Sequence, residues 1–305
     1  MIDSSSLRLA TRLCALSGLF CLVLFPICGF AQIENRPLPE LNAFLAKIKE
    51  NLRSDRLLLS RYTFDMEETV RRLDKEGHVK KTEVRVFEVY PSLEEDMTYQ
   101  RLILEDGKPV DAKKLEEQDR KFTEKAENRA RSLAKEHKSD QEQRLAKEAE
   151  ESKKERETIE DLFNIYEFAL LRRETIDGHP AILMHFTPKP QSEPRTKDGK
   201  ILKKVSGQAL ISETDYQIIR VDADLIDDYS IGFGLLARVS KGARMSFLRR
   251  KVNDEIWLPA EFHFVGSASA LIFKQIRVES TSLFSNYKKY MVSSSFNLSP
   301  KNPSP

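Results

Sequence analysis

Cysteine is scarce in this sequence and confined to its beginning. The three cysteines are Cys14, Cys21 and Cys28. Without a thiol, the rest of the chain can form no disulfide, thiolate metal site or cysteine nucleophile. The histidines do not stand at metal-ligand spacing either, so we expect no metal site. The five histidines are His78, His137, His179, His185 and His263.

The sequence also lacks the glycine motifs of common enzyme classes. Gly232 and Gly234 follow a predicted strand, but no helix beginning with Lys-Ser or Lys-Thr comes after them. A Gly-x-Ser-x-Gly nucleophile elbow is missing as well. These absences predict a protein that is not an enzyme and needs no cofactor. A cleft that placed His185 or His263 beside a carboxylate would favour catalysis instead.

Excess charge of either sign is missing too. The whole chain carries a formal net charge of +2. A chain so close to neutral gives no electrostatic reason to expect nucleic acid as a partner. No apolar run after residue 31 approaches 18 residues, so residues 32–305 are expected to contain no transmembrane span.

The N-terminus has the pattern of a secretory signal. Arg8 and Arg12 precede an apolar run over residues 13–27, and small residues at Gly29 and Ala31 fit cleavage before Gln32. This pattern predicts a signal peptide over residues 1–31 and an exported protein. The alternatives are an uncleaved N-terminal anchor and lipidation at Cys28, although Ile27 fits poorly before a lipidated cysteine.

Periodicity predicts one helix followed by a mostly β chain. Apolar residues at helical spacing, from Leu41 to Leu52, predict an amphipathic helix that packs on a sheet. Four turn signals between extended runs predict hairpins, at Glu76-Gly77, Asp106-Gly107, Asp177-Gly178 and Asp198-Gly199. The predicted strands cover residues 62–70, 82–90, 97–104, 163–174, 181–187, 205–212, 217–226, 244–252, 256–265 and 271–284.

A highly charged segment interrupts the strands. Residues 111–160 contain 15 acidic and 14 basic residues, many paired four apart with the acid first. This pattern predicts a helical insertion over residues 111–161, either one long helix or a hairpin bent near residues 137–141. It is either a solvent-exposed insertion or an arm that docks a partner. Residues 293–305 are predicted to be a disordered tail.

Two apolar stretches are the candidate binding surface. Residues 229–239 form an apolar, glycine-containing segment that either packs on the core or borders a cavity. On the strand that follows, Ile256, Leu258, Ala260, Phe262 and Phe264 are expected to share one face, as core or as the lining of a lipid-sized cavity. The candidate lining residues are Leu225, Phe233, Phe247, Ile256, Leu258, Phe262 and Phe264.

The order of these features resembles the outer-membrane lipoprotein-sorting proteins of the LolA/LolB-like superfamily, and more closely a bacterial branch of it. The resemblance covers about residues 41–104 and 163–290. It is carried best by the block Asn253-Asp254-Glu255-Ile256-Trp257-Leu258-Pro259 and the strand at 208–227. It implies an α+β fold, in which helices cover an antiparallel, curved and unclosed β barrel. It also implies a periplasmic location, with peripheral membrane attachment as an option. The charged insertion departs from the small carriers of that family.

Two functions follow as hypotheses. In the first, a single LolA-like domain over residues 32–292 binds a lipid or the acyl group of a lipidated protein. In the second, the domain is a scaffold, and the helical insertion docks an envelope protein. Deleting the insertion separates them, because only the scaffold would lose its partner.

Overall fold

The computed structural model describes residues 36–52, 56–231, 237–270 and 274–290. The chain divides into two units, Met1–Pro37 and Leu38–Pro305, and every element described below belongs to the second. The predicted signal peptide and the predicted tail both lie outside the described residues. In the part of the chain that the structure describes, no helix is long and apolar enough to cross a membrane.

Five α-helices and thirteen strands make up the described fold. The helices are α1 (Leu41–Asn51), α2 (Arg56–Leu59), α3 (Ala112–Ala134), α4 (Lys138–Ile165) and α5 (Lys197–Leu202). The first strands are β1 (Tyr62–Leu73), β2 (Val79–Tyr90), β3 (Tyr99–Glu105), β4 (Lys108–Pro109), β5 (Tyr166–Ile176), β6 (His179–Pro188) and β7 (Val205–Ser212). The remaining strands are β8 (Ile218–Leu225), β9 (Tyr229–Ile231), β10 (Ala237–Val239), β11 (Arg244–Val252), β12 (Ile256–Ala270) and β13 (Lys274–Lys289).

All the strands belong to one antiparallel sheet. Its order is β4-β3-β2-β1-β13-β12-β11-β8-β7-β6-β5, and the short β9–β10 hairpin joins it through β12. Within the described residues, the terminal strands β4 and β5 do not pair with each other, so the sheet is not closed. The prediction of an antiparallel, unclosed sheet with helices is therefore confirmed.

Three of the four predicted turns join strands. Asp106 and Asp177 have positive φ and are each followed by a glycine with positive φ, and Gly77 also has positive φ. Glycine adopts this conformation without a steric cost. The turn predicted at Asp198-Gly199 is wrong, because these residues lie in α5, which Thr196 caps by accepting a hydrogen bond from Gly199 N at 2.8 Å.

The main core lies where helices cover one end of the sheet. Phe44 and Ile48 of α1 pack with Ile165 of α4 against strands β5 to β8. Glu40 caps the N-terminus of α1, because its carboxylate accepts hydrogen bonds from the backbone N–H groups of Asn42 and Ala43. The contacts of Phe44 and Ile48 confirm that the apolar stripe of the first helix packs on the sheet.

The charged segment forms two helices that connect the two edge strands of the sheet. The chain leaves β4, passes through α3 and α4, and enters β5. None of the residues of α3 is fully buried, and in α4 only Asp161 and Ile165 are. The helix α4 continues to Ile165, so the strand predicted from residue 163 begins three residues later than expected. The two helices are separated at residues 135–137, close to the bend considered as an alternative.

Candidate functional site

An apolar surface continues from the core onto strands that the core cluster does not include. Val221 and Ala223 of β8 border or belong to the main core. In the sheet, Val221 lies opposite Phe247 of β11, and Phe247 lies opposite Phe262 of β12. Paired residues share a face, so these side chains form one continuous apolar row.

A second row runs beside the first. Ala223 lies opposite Met245, and Met245 lies opposite Phe264. The side chains of Phe247, Phe262 and Phe264 are half-buried, and Met245 is 37% exposed. We call the surface formed by Val221, Ala223, Met245, Phe247, Phe262 and Phe264 the aromatic face. Its aromatic rings are only partly covered by the protein itself, so it can take up further apolar atoms.

The predicted lining residues fall into three groups. Phe247, Phe262 and Phe264 come together on the aromatic face. Leu225 is half-buried at the end of β8, and Phe233 lies outside the described residues, as do the other residues of the predicted apolar segment from 232 to 236. Ile256 and Leu258 lie beyond an irregularity in β12, where they are half-buried and fully buried, respectively.

That irregularity corrects the prediction of one uninterrupted face on β12. Leu248 pairs with Glu261, but the next residue of β11, Arg249, pairs with Pro259, so Ala260 is an extra residue. A β-bulge of this kind breaks strict alternation. Leu258, at 0% exposure, therefore belongs to the packed part of the strand, whereas Phe262 and Phe264 belong to the half-open part.

The opposite face of the same strands carries a polar depression. Alternation places Arg220, Asp222 and Asp224 of β8 behind the aromatic face, beside Ser246 of β11 and His263 of β12. The depression is open to solvent and has a volume of about 510 Å³. Arg244, Glu261 and Val265 share this face and also line the depression. One set of strands thus presents an apolar surface on one side and a charged surface on the other.

His263 in this depression does lie beside a carboxylate. Its Nε2 atom is 3.2 Å from Glu279 Oε1, and the guanidinium of Arg71 is 3.3 Å from the same oxygen. These contacts, first among them the hydrogen bond from His263, hold the pKa of Glu279 below its ordinary value. Arg71 of β1 also pairs with Glu279 of β13. The Glu279 carboxylate therefore serves as a cross-strand ion-pair partner, and orienting the His263 imidazole is not its sole role.

Among the described residues, no nucleophile within hydrogen-bond reach accompanies His263. Ser246 lies opposite His263 in the sheet, but no hydrogen bond joins their side chains among the described residues. His185 bonds the hydroxyl of Thr187 at 2.8 Å instead of a carboxylate. Nucleophilic catalysis needs a base within hydrogen-bond reach of the nucleophile, so the geometry favours a structural pair at His263. That the protein is not an enzyme stays a prediction.

A cluster of possible metal ligands, which was not predicted, lies at the β1–β2 turn. One ligand atom from each of Asp74, Glu76 and His78 lies within 4.8 Å of the others. The turn itself accounts for this arrangement, because Asp74 Oδ1 accepts a hydrogen bond from His78 N at 2.8 Å. That bond is also the main reason why the pKa of Asp74 is lowered. Asp74 is half-buried and the other two residues are exposed.

The edge of the sheet at β3 is covered by α3. The amide of Gln118 bonds both backbone groups of Leu102: Leu102 N donates to Oε1 at 2.9 Å, and Nε2 donates to Leu102 O at 3.2 Å. Phe122 stacks on Tyr99, with ring centroids 4.3 Å apart. A side-chain amide that satisfies an edge strand prevents that strand from pairing with another chain. Sequence patterns gave no signal for this contact, because Gln118 is one polar residue among many on a charged helix.

Comparison with known proteins found similar structures but no matching sequences. No protein-family model matches the chain, and no curated protein matches it. The chain is similar to a domain from Vibrio parahaemolyticus described as an outer membrane lipoprotein-sorting protein, at 10% identity, a TM-score of 0.30, and coverage of 84% of this chain and 93% of the other. It is also similar to a LolA superfamily protein from Nitrosomonas europaea, at 11% identity, a TM-score of 0.26, and coverage of 84% and 96%.

A third similar structure is a DUF1329 family protein from Desulfovibrio piger, at 12% identity, a TM-score of 0.27, and coverage of 85% and 96%. At such identities and TM-scores these likenesses carry no information about activity. The functional assignment therefore depends on the chain's own side chains.

Proposed function

We propose that this protein is an exported, non-catalytic binding protein whose aromatic face holds the acyl chain of a lipid or of a lipidated protein. The observation that carries the proposal is the row Val221–Phe247–Phe262, which extends the apolar core onto strands where the rings stay half-exposed. An apolar surface of this kind is costly in water unless something covers it. The LolA-like resemblance in the sequence supports a periplasmic location.

Burial of an acyl chain supplies enough free energy for useful affinity. Each CH₂ group removed from water contributes about 0.8 kcal/mol. Aromatic side chains add large contact areas and stay in few conformations. The site therefore needs no metal, cofactor or charged anchor to hold the chain itself. Phe247, Phe262 and Phe264 are its central residues, and Leu225 lies at its border.

Chemical analysis of the protein purified without detergent tests this function. The full-length chain is secreted into a periplasm, purified, extracted with organic solvent and analysed by mass spectrometry. A lipid or acylated peptide recovered at about one molecule per protein supports the proposal. Protein that is free of lipid and also fails to take up a fluorescent fatty acid contradicts it.

A second candidate function is that of a scaffold whose helical arm docks an envelope protein. It is favoured by the exposure of α4, where all residues from 138 to 156 except Arg144 are exposed. Ion pairs four residues apart, such as Glu150–Lys154 at 2.7 Å, help to keep such an exposed helix folded in water. A free helix of this length is available to a partner.

Replacing residues 126–155 by a flexible linker separates the two functions. This deletion leaves Phe122 on β3 and the buried end of α4 in place. Unchanged uptake of fatty acid by the deletion variant favours the carrier. Loss of lipid uptake shows that the arm is part of the lipid site and removes the reason to treat it as an independent docking element.

A further inference from the structure

The row of paired residues that contains Phe262 changes character as it crosses the sheet. Phe262 lies opposite Ser282 of β13. Ser282 lies opposite Glu68 of β1, and Glu68 lies opposite Arg85 of β2. Neighbouring strands are about 4.8 Å apart, so apolar, hydroxyl and charged groups follow one another over roughly 14 Å on one face. The surface is apolar at one end and charged at the other.

A close ion pair stands at the charged end. Arg85 Nη2 donates to Glu68 Oε2 at 2.6 Å, and the guanidinium lies 5.8 Å from the centroid of the Phe87 ring. The Nε atom of Arg85 is buried and has no hydrogen-bond partner among the described residues. A buried donor without a partner is unfavourable, but this atom cannot reach a ligand on the surface. The Arg85 side chain as a whole is 39% exposed, and its bond to Glu68 uses an N–H group of Nη2, so the exposed part of the guanidinium keeps N–H groups for a ligand.

The next row repeats the balance of charge. Glu83 of β2 lies 2.6 Å from the amine of Lys81 and 3.6 Å from the guanidinium of Arg72. Glu105 of β3 lies opposite Arg85. The charged end therefore contains three acidic and three basic side chains in alternation. A surface with both charges and no excess of either complements a group that itself carries both, rather than a simple anion.

We propose that Glu68 and Arg85 bind the head group of a zwitterionic phospholipid whose acyl chains lie on the aromatic face. This inference rests on the proposed acyl-binding function and specifies its ligand. Arg85 donates to phosphate oxygens, for which the planar guanidinium is well matched. Glu68 accepts from the ammonium through Oε1, the oxygen that does not bind Arg85. Ser280 and Ser282 lie between the aromatic face and the charged end. Their hydroxyl groups can donate hydrogen bonds to the glycerol esters of the lipid.

The simpler explanation is that the pair only stabilises the β1–β2 hairpin. Cross-strand ion pairs of that kind contribute little, and they leave ligand preference unchanged. A comparable ion pair lies on the opposite face of β1, where Arg71 is 3.3 Å from Glu279 of β13. Substituting Arg71 therefore removes an equivalent ion pair without touching the proposed head-group site.

The test compares lipids that have identical acyl chains and different head groups. Fluorescent phosphatidylethanolamine, phosphatidylglycerol and diacylglycerol are titrated into the full-length protein. We expect phosphatidylethanolamine to bind with at least about tenfold higher affinity than diacylglycerol, because only its head group can form charge-assisted hydrogen bonds. Arg85→Met and Glu68→Gln should each lose most of this preference and keep the affinity for diacylglycerol. The control Arg71→Met should behave like the unaltered protein.

A charge exchange provides a second, independent readout. The double variant Glu68→Arg with Arg85→Glu keeps one cation and one anion and should retain the preference for phosphatidylethanolamine. Equal binding of the three lipids by the unaltered protein, or tighter binding of phosphatidylglycerol, overturns the head-group assignment but leaves acyl binding intact. Failure to bind any of the three lipids overturns the acyl-binding function itself.

Discussion

Asp161 holds Thr196 through a single carboxylate oxygen: Oδ2 accepts from both the backbone N–H and the hydroxyl of Thr196, each at 2.7 Å. The same carboxylate accepts from Arg195 N at 3.0 Å. Asp161 is only 1% exposed and lies near the end of α4. This contact fastens the loop between β6 and α5 to the helix that leads into the sheet.

We expect Asp161→Asn to destabilise the protein by about 2 kcal/mol at neutral pH, because a buried acceptor of several hydrogen bonds becomes partly a donor. Burial raises the pKa of Asp161, but the hydrogen bonds from Arg195 and Thr196 outweigh it and leave this pKa lowered. Denaturant unfolding of both proteins at several pH values measures the difference. A change of the neighbouring exposed Asp198 to Asn is the control.

The pH dependence of this difference follows from the lowered pKa. The stabilisation by Asp161 is fully present above the ordinary aspartate pKa of about 3.9 and is lost as the pH falls through the lower value of the folded state. The difference in unfolding free energy between the unaltered protein and Asp161→Asn should therefore become smaller only at acid pH. A gap that narrows between pH 8 and pH 6 would contradict this account.

Gly199→Ala should also destabilise the protein, by about 1–3 kcal/mol. A Cβ atom at this position would lie 2.9 Å from both Asp161 Cγ and Pro194 Cβ, and neither of these groups can move without breaking the loop contact. Thermal unfolding checks the effect, with Lys200→Ala on the exposed side of α5 as the control. An unchanged melting temperature for Gly199→Ala would show that the loop is loosely held.

The stack between Tyr99 and Phe122 should strengthen the attachment of α3 to the sheet. Phe122→Ala removes the ring and should cost about 1–2 kcal/mol. It loosens α3 on β3, where Gln118 still bonds Leu102 and Asp119 still pairs with Arg101. Hydrogen exchange should show lost protection in α3, but not in α1. The control is Leu145→Ala on α4, where the leucine is 51% exposed and should contribute little. Equal effects of the two substitutions would refute a specific anchor at Phe122.

The single tryptophan reports on Asp215. Trp257 Nε1 donates to Asp215 Oδ2 at 2.9 Å, and the amine of Lys251 lies 3.0 Å from the same oxygen. Burial raises the pKa of Asp215, but the contacts with Trp257 and Lys251 outweigh it, so the net pKa is lowered. Tryptophan emission should therefore shift with a midpoint below pH 3.9, and Asp215→Asn should abolish the shift. A midpoint at or above pH 4.5 in the unaltered protein would contradict these contacts.

Much of the fold followed from local patterns. The alternation of apolar and polar residues placed β11 at residues 244–252, where the structure has it. The turn predicted at Asp198-Gly199 was wrong because Thr196 caps a helix there and Asp161, 38 residues earlier, packs over the glycine. A two-residue turn signal carries no information about contacts with distant segments of the chain. Here the packing of Asp161 over Gly199 and the cap at Thr196 overrode that signal.

The site was predictable only in part. Alternation identified Phe262 and Phe264 as sharing a face, but the bulge at Ala260 separated them from Leu258. The pairing of β12 with β13 and of β13 with β1 depends on strand order, which the sequence did not provide. Glu68 and Arg85 could therefore not be placed beside the aromatic face until the sheet was known.

The central claim is that the aromatic face, rather than any other apolar surface, holds the acyl chain. The most direct measurement is titration of a fluorescent fatty acid into Phe262→Ser and Leu283→Ser. Leu283 lies opposite Glu261 on the other face of the sheet and is 41% exposed. The account predicts at least about tenfold weaker binding for Phe262→Ser, from the loss of a large apolar contact, and unchanged binding for Leu283→Ser, with both proteins folded by circular dichroism. Equal affinity of the two variants, or loss of binding only in Leu283→Ser, would contradict it.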